Sequence, residues 1–305
     1  MAGVTSADFR YIVRKYTSTL LYTEMCSAHA LVHNPGLECA KLYEWDHPAG
    51  IQIYGAKPEI MAKAAVIAEK LGADVVDINM GCARRIITKQ GAGAALLRNL
   101  GVAKKIVREV RKSISLPLSI KTRIGWEQFD RKIFEEIATW EIDFLTVHGR
   151  TARAGFSGKV DYDALREIKE IVSFPVIGNG NIFRAEDAKV MQGHTKCDAV
   201  MVARGMMGKP AFPAECIAFM AGHSYQTPDI EKIMEDILSQ AQKFCENRGK
   251  DTLKKFRQHI YWYFKNFRKP PEFYTKILDV ETYPELVEFL DWFSMLCPQS
   301  GKRNH

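Results

Sequence analysis

No stretch of the sequence approaches the roughly 20 consecutive apolar residues of a membrane span, and no cleavable leader is visible. Both absences point to a protein that remains in the cytoplasm. The seven cysteines, at positions 26, 39, 82, 197, 216, 245 and 297, show neither the paired CxxC spacing of a zinc site nor the density of a disulfide scaffold. Free thiols in a reducing compartment, and no bound metal, are the expectation. No GxGxxG fingerprint opens a strand-to-helix turn, so no resident dinucleotide is expected. Internal repeats and low-complexity tracts are also missing. What remains is a chain of 305 residues, 47% of them apolar, enough for one large domain and a small appendage.

The formal net charge of +7 is modest, and its distribution says more than its total. Between 248 and 269 stand eight Lys or Arg residues (248, 250, 254, 255, 257, 265, 268 and 269) against one acid, Asp251. Phe256, His259, Tyr261, Trp262, Tyr263, Phe264 and Phe267 share that window. A basic stripe interleaved with aromatics suits an RNA backbone and its unstacked bases. It equally suits a solvated helix whose aromatics pack inward.

Short apolar runs alternate with helix-like segments, the pattern of a parallel α/β fold. The spacing predicts strands at 21–25, 51–55, 75–79, 118–123, 144–149, 175–180 and 199–204, and helices at 58–71, 102–113, 131–140, 162–172 and 185–192. Beyond a polar connection at 223–227 the chain reads as amphipathic helices, interrupted at Pro270 and Pro271 and again near Pro284, with a polar, frayed tail from 298. The expected division is therefore 1–222 and 223–305.

One cysteine stands apart. In DINMGCARRIITKQGAGAALL, from Asp77 to Leu97, a strand-like segment gives way to a glycine-punctuated basic loop, with Asn79 and Cys82 at the junction. At the C-terminal mouth of a parallel barrel, that is where catalytic groups gather. Lys121 lies in LSIKTR, otherwise suited to burial, so its ammonium should reach the mouth. Asn179, Gly180 and Asn181 end one late strand, and Ala203 and Arg204 end the next, positions that commonly hold phosphate. Arg84, Arg85 and Lys89 punctuate the loop after Cys82.

DINMGCA followed by KQGAGAALL resembles the signature of the bacterial-type tRNA-dihydrouridine synthases, flavin enzymes that reduce uridines in tRNA. MAGVT from Met1, QIYGAKPEIMAKAA from Gln52, LSIKTRIGW from Leu118, TVHGRT from Thr146, PVIGNGNI from Pro175 and MVARGMMGKP from Met201 resemble further family blocks, in family order. KFRQHIYWYFK from Lys255 resembles the family's C-terminal helical part. The resemblance implies a (β/α)8 TIM barrel, residues 1–222, with a small C-terminal all-helical tRNA-binding domain. It also places the first barrel strand before MAGVT, so that strand is expected to be missing or truncated here.

The resemblance further implies bound FMN, re-reduced by visiting NADPH, with NADH also possible. Gln52 and Lys121 would contact the ring, Met1 and Ala2 would approach it through their backbone, and His148 would lie beside the flavin or its phosphate. Asn179, Gly180, Asn181, Ala203 and Arg204 would complete the cofactor site. Cys82 would be the general acid that protonates C5 of uracil after hydride reaches C6, which requires a thiol that stays protonated until then. Asn79 would bind the uracil edge, and Arg84, Arg85, Arg150, Lys254, Arg257 and Lys265 the RNA. Ala83 stands where the family usually has proline, a change of loop stiffness more than of chemistry. A monomer engaging one tRNA is the simplest arrangement. Two other readings stand beside this one: an FMN barrel of dihydroorotate dehydrogenase type, and a tRNA-binding module without turnover.

Overall fold

The computed structural model describes residues 1–248 and 253–296. Cys297, Lys250, Asp251 and the tail expected to fray lie outside the described residues. Eight short parallel strands form one sheet: β1 (Leu21–Tyr22), β2 (Cys26–Ser27), β3 (Ala49–Tyr54), β4 (Val75–Asn79), β5 (Leu118–Arg123), β6 (Phe144–His148), β7 (Val176–Asn179) and β8 (Ala199–Met201). The first expected strand is thus split. Both halves pair with β3, β1 through Leu21 opposite Ala49 and β2 through Cys26 opposite Ile53, so together they fill one position. From there the order runs β3, β4, β5, β6, β7, β8, each strand beside the next. This is the winding of a (β/α)8 barrel across seven positions. Among the described residues no ladder joins β8 to β1.

The helices are α1 (Ala7–Arg14), α2 (Ala28–His33), α3 (Pro58–Lys70), α4 (Arg85–Thr88), α5 (Leu100–Ser113), α6 (Arg131–Ile137), α7 (Tyr162–Ile171), α8 (Ala185–Thr195), α9 (Phe212–Met220), α10 (Ile230–Arg248), α11 (Leu253–Phe264), α12 (Phe273–Asp279) and α13 (Tyr283–Leu296). Local chemistry sets their starts. Asn99 accepts from the Val102 amide at 3.2 Å and Asp161 from the Ala164 amide at 2.8 Å, the side-chain caps that open α5 and α7. Pro58 occupies the first turn of α3, where its missing N–H has no helical partner to lose.

Period-two alternation explains how the strands divide their side chains. Ile51 and Ile53, Val76 and Ile78, Leu118 and Ile120, and Leu145 and Val147 are buried in one hydrophobic cluster with Met61, Ala64, Ala65, Ala68, Ile106 and Val110 of α3 and α5. Burying each Ile or Leu stabilises the fold by roughly 1.5–3 kcal/mol. The intervening residues Gln52, Asp77, Asn79, Ser119, Lys121, Thr146, His148 and Asn179 therefore share the opposite face.

The chain divides into two compact units. One comprises Met1–Gly3 and Ser18–Arg204; the other comprises Val4–Thr17 and the chain from Gly205 onward. This differs from the expected boundary at 222 in two places. Segment 4–17 joins the helical unit because Gln240 donates to Asp8 at 2.9 Å and the Tyr16 hydroxyl donates to Asp236. Segment 205–222 joins it because Gly208, at φ 72°, lies so close to the Trp262 carbonyl that no Cβ fits.

Within the helical unit, Phe256, His259, Trp262, Tyr263 and Phe264 of α11 are buried. Phe256, Ile260, Tyr263 and Phe264, at i, i+4, i+7 and i+8, pack into the core of this unit. Tyr263 donates to Gln240 at 2.8 Å, and burial holds the His259 imidazole down to about 4, neutral near pH 7. The reading of these aromatics as base-stacking residues is therefore corrected; Tyr261 alone among the five from Tyr261 to Lys265 is well exposed.

The expectation of seven free thiols is corrected as well. Cys26 and Cys39 form a disulfide with Cα atoms 5.8 Å apart, while Cys82, Cys197, Cys216 and Cys245 are free. No described helix is long and apolar enough to cross a membrane.

At the opposite end of the sheet from its C-terminal mouth, acids clamp alternate strands. Asp74 accepts from the Ala49 amide at 2.6 Å, Asp143 from Leu118 at 2.7 Å and Asp198 from Val176 at 2.7 Å. Lys169, 2.8 Å away, holds the Asp198 carboxyl below its ordinary range. Asp198→Ala should cost about 1 kcal/mol, or about 2–4 °C in Tm, near neutral pH. Because the native carboxyl titrates below its unfolded value of about 4, the wild-type advantage is complete above that value and disappears as pH falls through the depressed one. Thermal scans of both proteins from pH 7 to 3 check this; parallel curves would remove the clamp.

Candidate active site

The polar face of the sheet carries a directed relay that ends at Cys82. Asp77, fully buried in the middle of β4, accepts from Ser119 Oγ at 2.6 Å through one oxygen and from Gln52 Nε2 at 2.6 Å through the other. Those two donors fix the Gln52 amide, whose Oε1 accepts from Asn79 Nδ2 at 2.8 Å. Asn79 Oδ1 is then turned toward the loop, where it accepts from the amides of Cys82 at 2.9 Å and Gly81 at 3.2 Å. The register makes this possible, since Gln52 stands opposite Asp77 and Asp77 opposite Ser119. Burial pushes the Asp77 carboxyl up to about 6, although its hydrogen bonds and Lys121 pull the other way.

Cys82 is half-buried, and its carbonyl accepts from the Ala94 amide at 2.9 Å, closing the loop that contains α4. Ile87 anchors that loop in the interior, while Arg84, Arg85 and Ile86 point outward, Ile86 being 69% exposed. Arg123 donates to the Gly81 carbonyl at 2.7 Å and to the carbonyls of Thr151 and Gly155 at 2.9 and 2.8 Å. It ties the cysteine loop to the loop after β6. Desolvation lowers its pKa to about 10, still cationic near neutrality.

A second group of cations lies across β5 to β8. Lys121 donates to Asn179 Oδ1 at 3.1 Å, and Asn179 donates to the Met201 carbonyl at 2.8 Å. Burial brings Lys121 down to about 8, so it remains largely protonated at pH 7. Arg150 is buried and spends its donors on the carbonyls of Ser157 and Gly158, with Nη1 3.3 Å from His148 Nε2. His148 is held far below its ordinary value by burial and by Lys121, Arg123, Arg150 and Arg204 around it, and is therefore a neutral imidazole. Arg204 lies 3.3 Å from Asn181 Oδ1 and 4.5 Å from the Phe156 ring centroid, a cation–π contact.

Gly180 and Asn181 follow β7 with φ of 135° and 52°. A Cβ on Gly180 would meet His148 at 3.0 Å and Val160 at 2.8 Å, so only glycine lets the chain pass here. Successive residues of this kind turn backbone amides toward one point, and with Arg204 they suit an anionic group such as a phosphate. Thr146, opposite Lys121 in the ladder, has a buried hydroxyl with no hydrogen-bond partner among the described residues. A ring carrying polar edges beside Lys121 would satisfy it. Met1 and Ala2 precede Gly3, whose amide donates to Glu24 at 2.6 Å between β1 and β2.

The site thus brings together Gln52, Asn79, Cys82, Lys121, His148, Asn179, Gly180, Asn181 and Arg204, with Ala203 next in chain. Arg84 and Arg85 stand on the rim. In the other unit, Lys254 pairs with Glu281 at 2.8 Å, and Arg257 donates to the Val280 carbonyl at 2.8 Å and to Glu281 at 3.3 Å. Lys265 is half-buried, and burial lowers its pKa. Asp77, Ser119 and Arg123 were not singled out from the sequence. The signal was present for Asp77, an acid at the centre of a strand whose five residues are all buried.

The dihydrouridine synthase (Dus) family model matches residues 1–295. The chain belongs to the dihydrouridine synthase family. It is 33% identical over 297 residues to the probable tRNA-dihydrouridine synthase 1 of Synechocystis, covering 95% of this chain and 84% of that one. It is 35% identical over 282 residues to the tRNA-dihydrouridine synthase B of Pasteurella multocida, covering 90% and 84%. As a member of this family the protein is an oxidoreductase. Among solved structures, histamine dehydrogenase from Rhizobium sp. 4-9 superposes with a TM-score of 0.54 at 14% identity, covering 79% of this chain and 46% of that one. A morphinone reductase superposes with 0.51 at 13% identity, covering 76% and 85%. These likenesses bear on the fold.

Gln52→Leu cuts the relay at its centre, leaving Asp77 one donor short and Asn79 free to turn. A buried acceptor deprived of its donor costs about 1–3 kcal/mol, so the urea midpoint should drop accordingly. A midpoint equal to wild type would mean that the Asp77 to Asn79 connection carries no weight.

Proposed function

We propose that this enzyme reduces uridine in tRNA to 5,6-dihydrouridine, with FMN as the hydride carrier and NADPH as the reductant of the flavin, NADH serving the same chemistry. The observation that carries the reading is the pairing, at one barrel mouth, of a cysteine whose backbone amide is held by Asn79 with a group of cations and small residues suited to an anionic cofactor. When bound, FMN supplies hydride from its reduced ring. Gln52 and Lys121 would hold the ring, with Met1 and Ala2 approaching it through their backbone. Asn179, Gly180, Asn181, Ala203 and Arg204 would hold the phosphate end beside neutral His148. The cationic Lys121 favours negative charge on the ring edge.

Cys82 is the general acid. As C6 of uracil gains hydride, the thiol gives its proton to C5, and the resulting thiolate recovers a proton from solvent. Asn79 spends its amide oxygen on the Cys82 amide, which leaves its Nδ2 edge, shared with Gln52, to face the uracil. The relay fixes the thiol relative to the base, and positioning of this kind contributes as much as proton transfer itself. Uracil in folded tRNA must leave its stack to reach this depth. Arg84, Arg85 and Lys89 on the rim would hold flanking phosphates.

Visible absorption under anaerobic conditions tests the reading. Flavin bands should bleach with NADPH and return on addition of unmodified tRNA. Cys82→Ala should keep its flavin and its bleaching yet lose about 10²-fold or more in dihydrouridine formation; wild-type turnover in that variant removes the general-acid role.

Lys254, Arg257 and Lys265 belong to the same proposal as RNA contacts of the helical unit, with Glu281 exchanged for phosphate at the first two. Replacing all three with Ala should weaken tRNA binding and flatten the plot of log K against log salt by about two units. An unaltered slope moves the RNA contact to other residues.

A further inference from the structure

A cleft of about 200 Å³ lies beside the cysteine loop, bordered by Ser27, His29, Tyr54, Lys57, Gln90 and Ala92 among others. At roughly 30 Å³ per water this is the space of six or seven waters, the size of one planar base. Tyr54 ends β3, two residues beyond Gln52, so the cleft opens at the same mouth as the relay. The loop that bears Cys82 borders it through Gln90 and Ala92. A Cβ on Gly91 would stand 3.5 Å from the Ala56 Cβ on the cleft side, and one on Gly93 would stand 3.3 Å from the Cys82 Cβ on the other.

The lining has the chemistry of a nucleotide site. Tyr54 offers a half-buried ring, Gln90 an exposed amide that can both donate and accept, and His29 an imidazole stacked on His33 at 4.3 Å. No acid borders the cleft. Lys57 is exposed and has no ion pair among the described residues, and the same holds for Arg84, Arg85 and Lys89 on the adjoining loop. Positive charge is left unmatched where a phosphate chain would pass.

We propose that this cleft receives the nucleotide adjacent to the reacting uridine, its base against Tyr54 and Gln90 and its phosphate on Lys57. The inference rests on the uridine-reduction reading. It adds a fixed point one residue along the RNA, so that extraction of the uridine is coupled to seating its neighbour. The adenosine half of the nicotinamide dinucleotide has the same base-and-phosphate chemistry, and the two half-reactions distinguish the sources.

The test uses the flavin-loaded full chain and the variants Tyr54→Ala, Tyr54→Phe and Lys57→Ala. Enzyme reduced with NADPH is mixed anaerobically with tRNA, and flavin reoxidation is followed. In Tyr54→Ala the tRNA concentration for half-maximal reoxidation should rise about tenfold, the scale of losing one base stack, with Tyr54→Phe close to wild type. Lys57→Ala should raise it severalfold and reduce the salt slope by about one unit. The NADPH concentration for half-maximal bleaching should move far less than the tRNA one. A shift in the NADPH arm with none in the tRNA arm assigns the cleft to the dinucleotide and overturns the proposal, as do tRNA values equal to wild type in both Ala variants. Lys57 is exposed, so its variant tests the site even where Tyr54→Ala folds poorly. Failure of wild-type enzyme to be reoxidised by tRNA would instead strike the parent reading.

Discussion

A carboxyl group removed from water has to find donors, and the satisfaction of Asp77 organises this active site. An isolated buried carboxylate is costly enough to shift its own titration, and that of Asp77 moves up to about 6. Its two oxygens take one hydrogen each from Ser119 and Gln52, which leaves Gln52 with its carbonyl free to orient Asn79. Asn79 in turn has one orientation in which its carbonyl meets the Cys82 and Gly81 amides. Three amide and carboxyl groups are therefore placed by one demand. The loop bearing Cys82 inherits its position from a strand interior and not from its own sequence.

The cations of the site divide by how their donors are used. Arg123 and Arg150 spend theirs on backbone carbonyls and act as fasteners of the loops at 151–158. Lys121 and Arg204 each make one side-chain contact with an asparagine and keep donors in reserve. The fasteners still contribute charge: burial does most to keep His148 neutral, and Lys121, Arg123, Arg150 and Arg204 add to it. A neutral imidazole can donate through one nitrogen and accept through the other, so beside a phosphate it is a directional hydrogen-bonding group and adds no further repulsion to its cationic neighbours.

Short apolar runs made the strands legible, and the structure shows that within them residues such as Ile51, Ile53, Val76 and Ile78 alternate with polar ones on the opposite face. Lys121 was singled out because its segment is otherwise suited to burial, and Asn79 and Cys82 because they stand where a strand-like run meets a glycine-punctuated loop. Asp77 was not, since its role depends on the registers that set it between Gln52 and Ser119, and register is a tertiary property. The joining of segment 4–17 to the helical unit was hidden for a similar reason: Asp8 and Gln240 are 232 residues apart. The orientation of α11 was legible in part. Phe256, Ile260 and Tyr263 recur at helical spacing, which marks a buried face, and the lysines around them drew attention to the solvent side. The Cys26 and Cys39 pairing depends on how the chain after β2 folds back, which a sequence separation of 13 does not spell out.

Specificity for one nucleotide in a folded RNA requires more than a pocket for uracil, because every uridine presents the same ring. Contacts fixed relative to the thiol but outside the uracil pocket have to supply the difference. The loop from Cys82 to Gly93 is suited to that coupling: its inner surface is bonded to the relay through Asn79, and its outer surface carries Arg84, Arg85 and Lys89 and forms the wall of the Tyr54 cleft. On the proposed reading, an RNA held on the outer surface would be held in register with Cys82 on the inner one. If uridine reacts here, the hydrogen bonds that run from Asp77 to the loop would set the reacting bond and the reading of its surroundings together, so that loosening one would loosen the other.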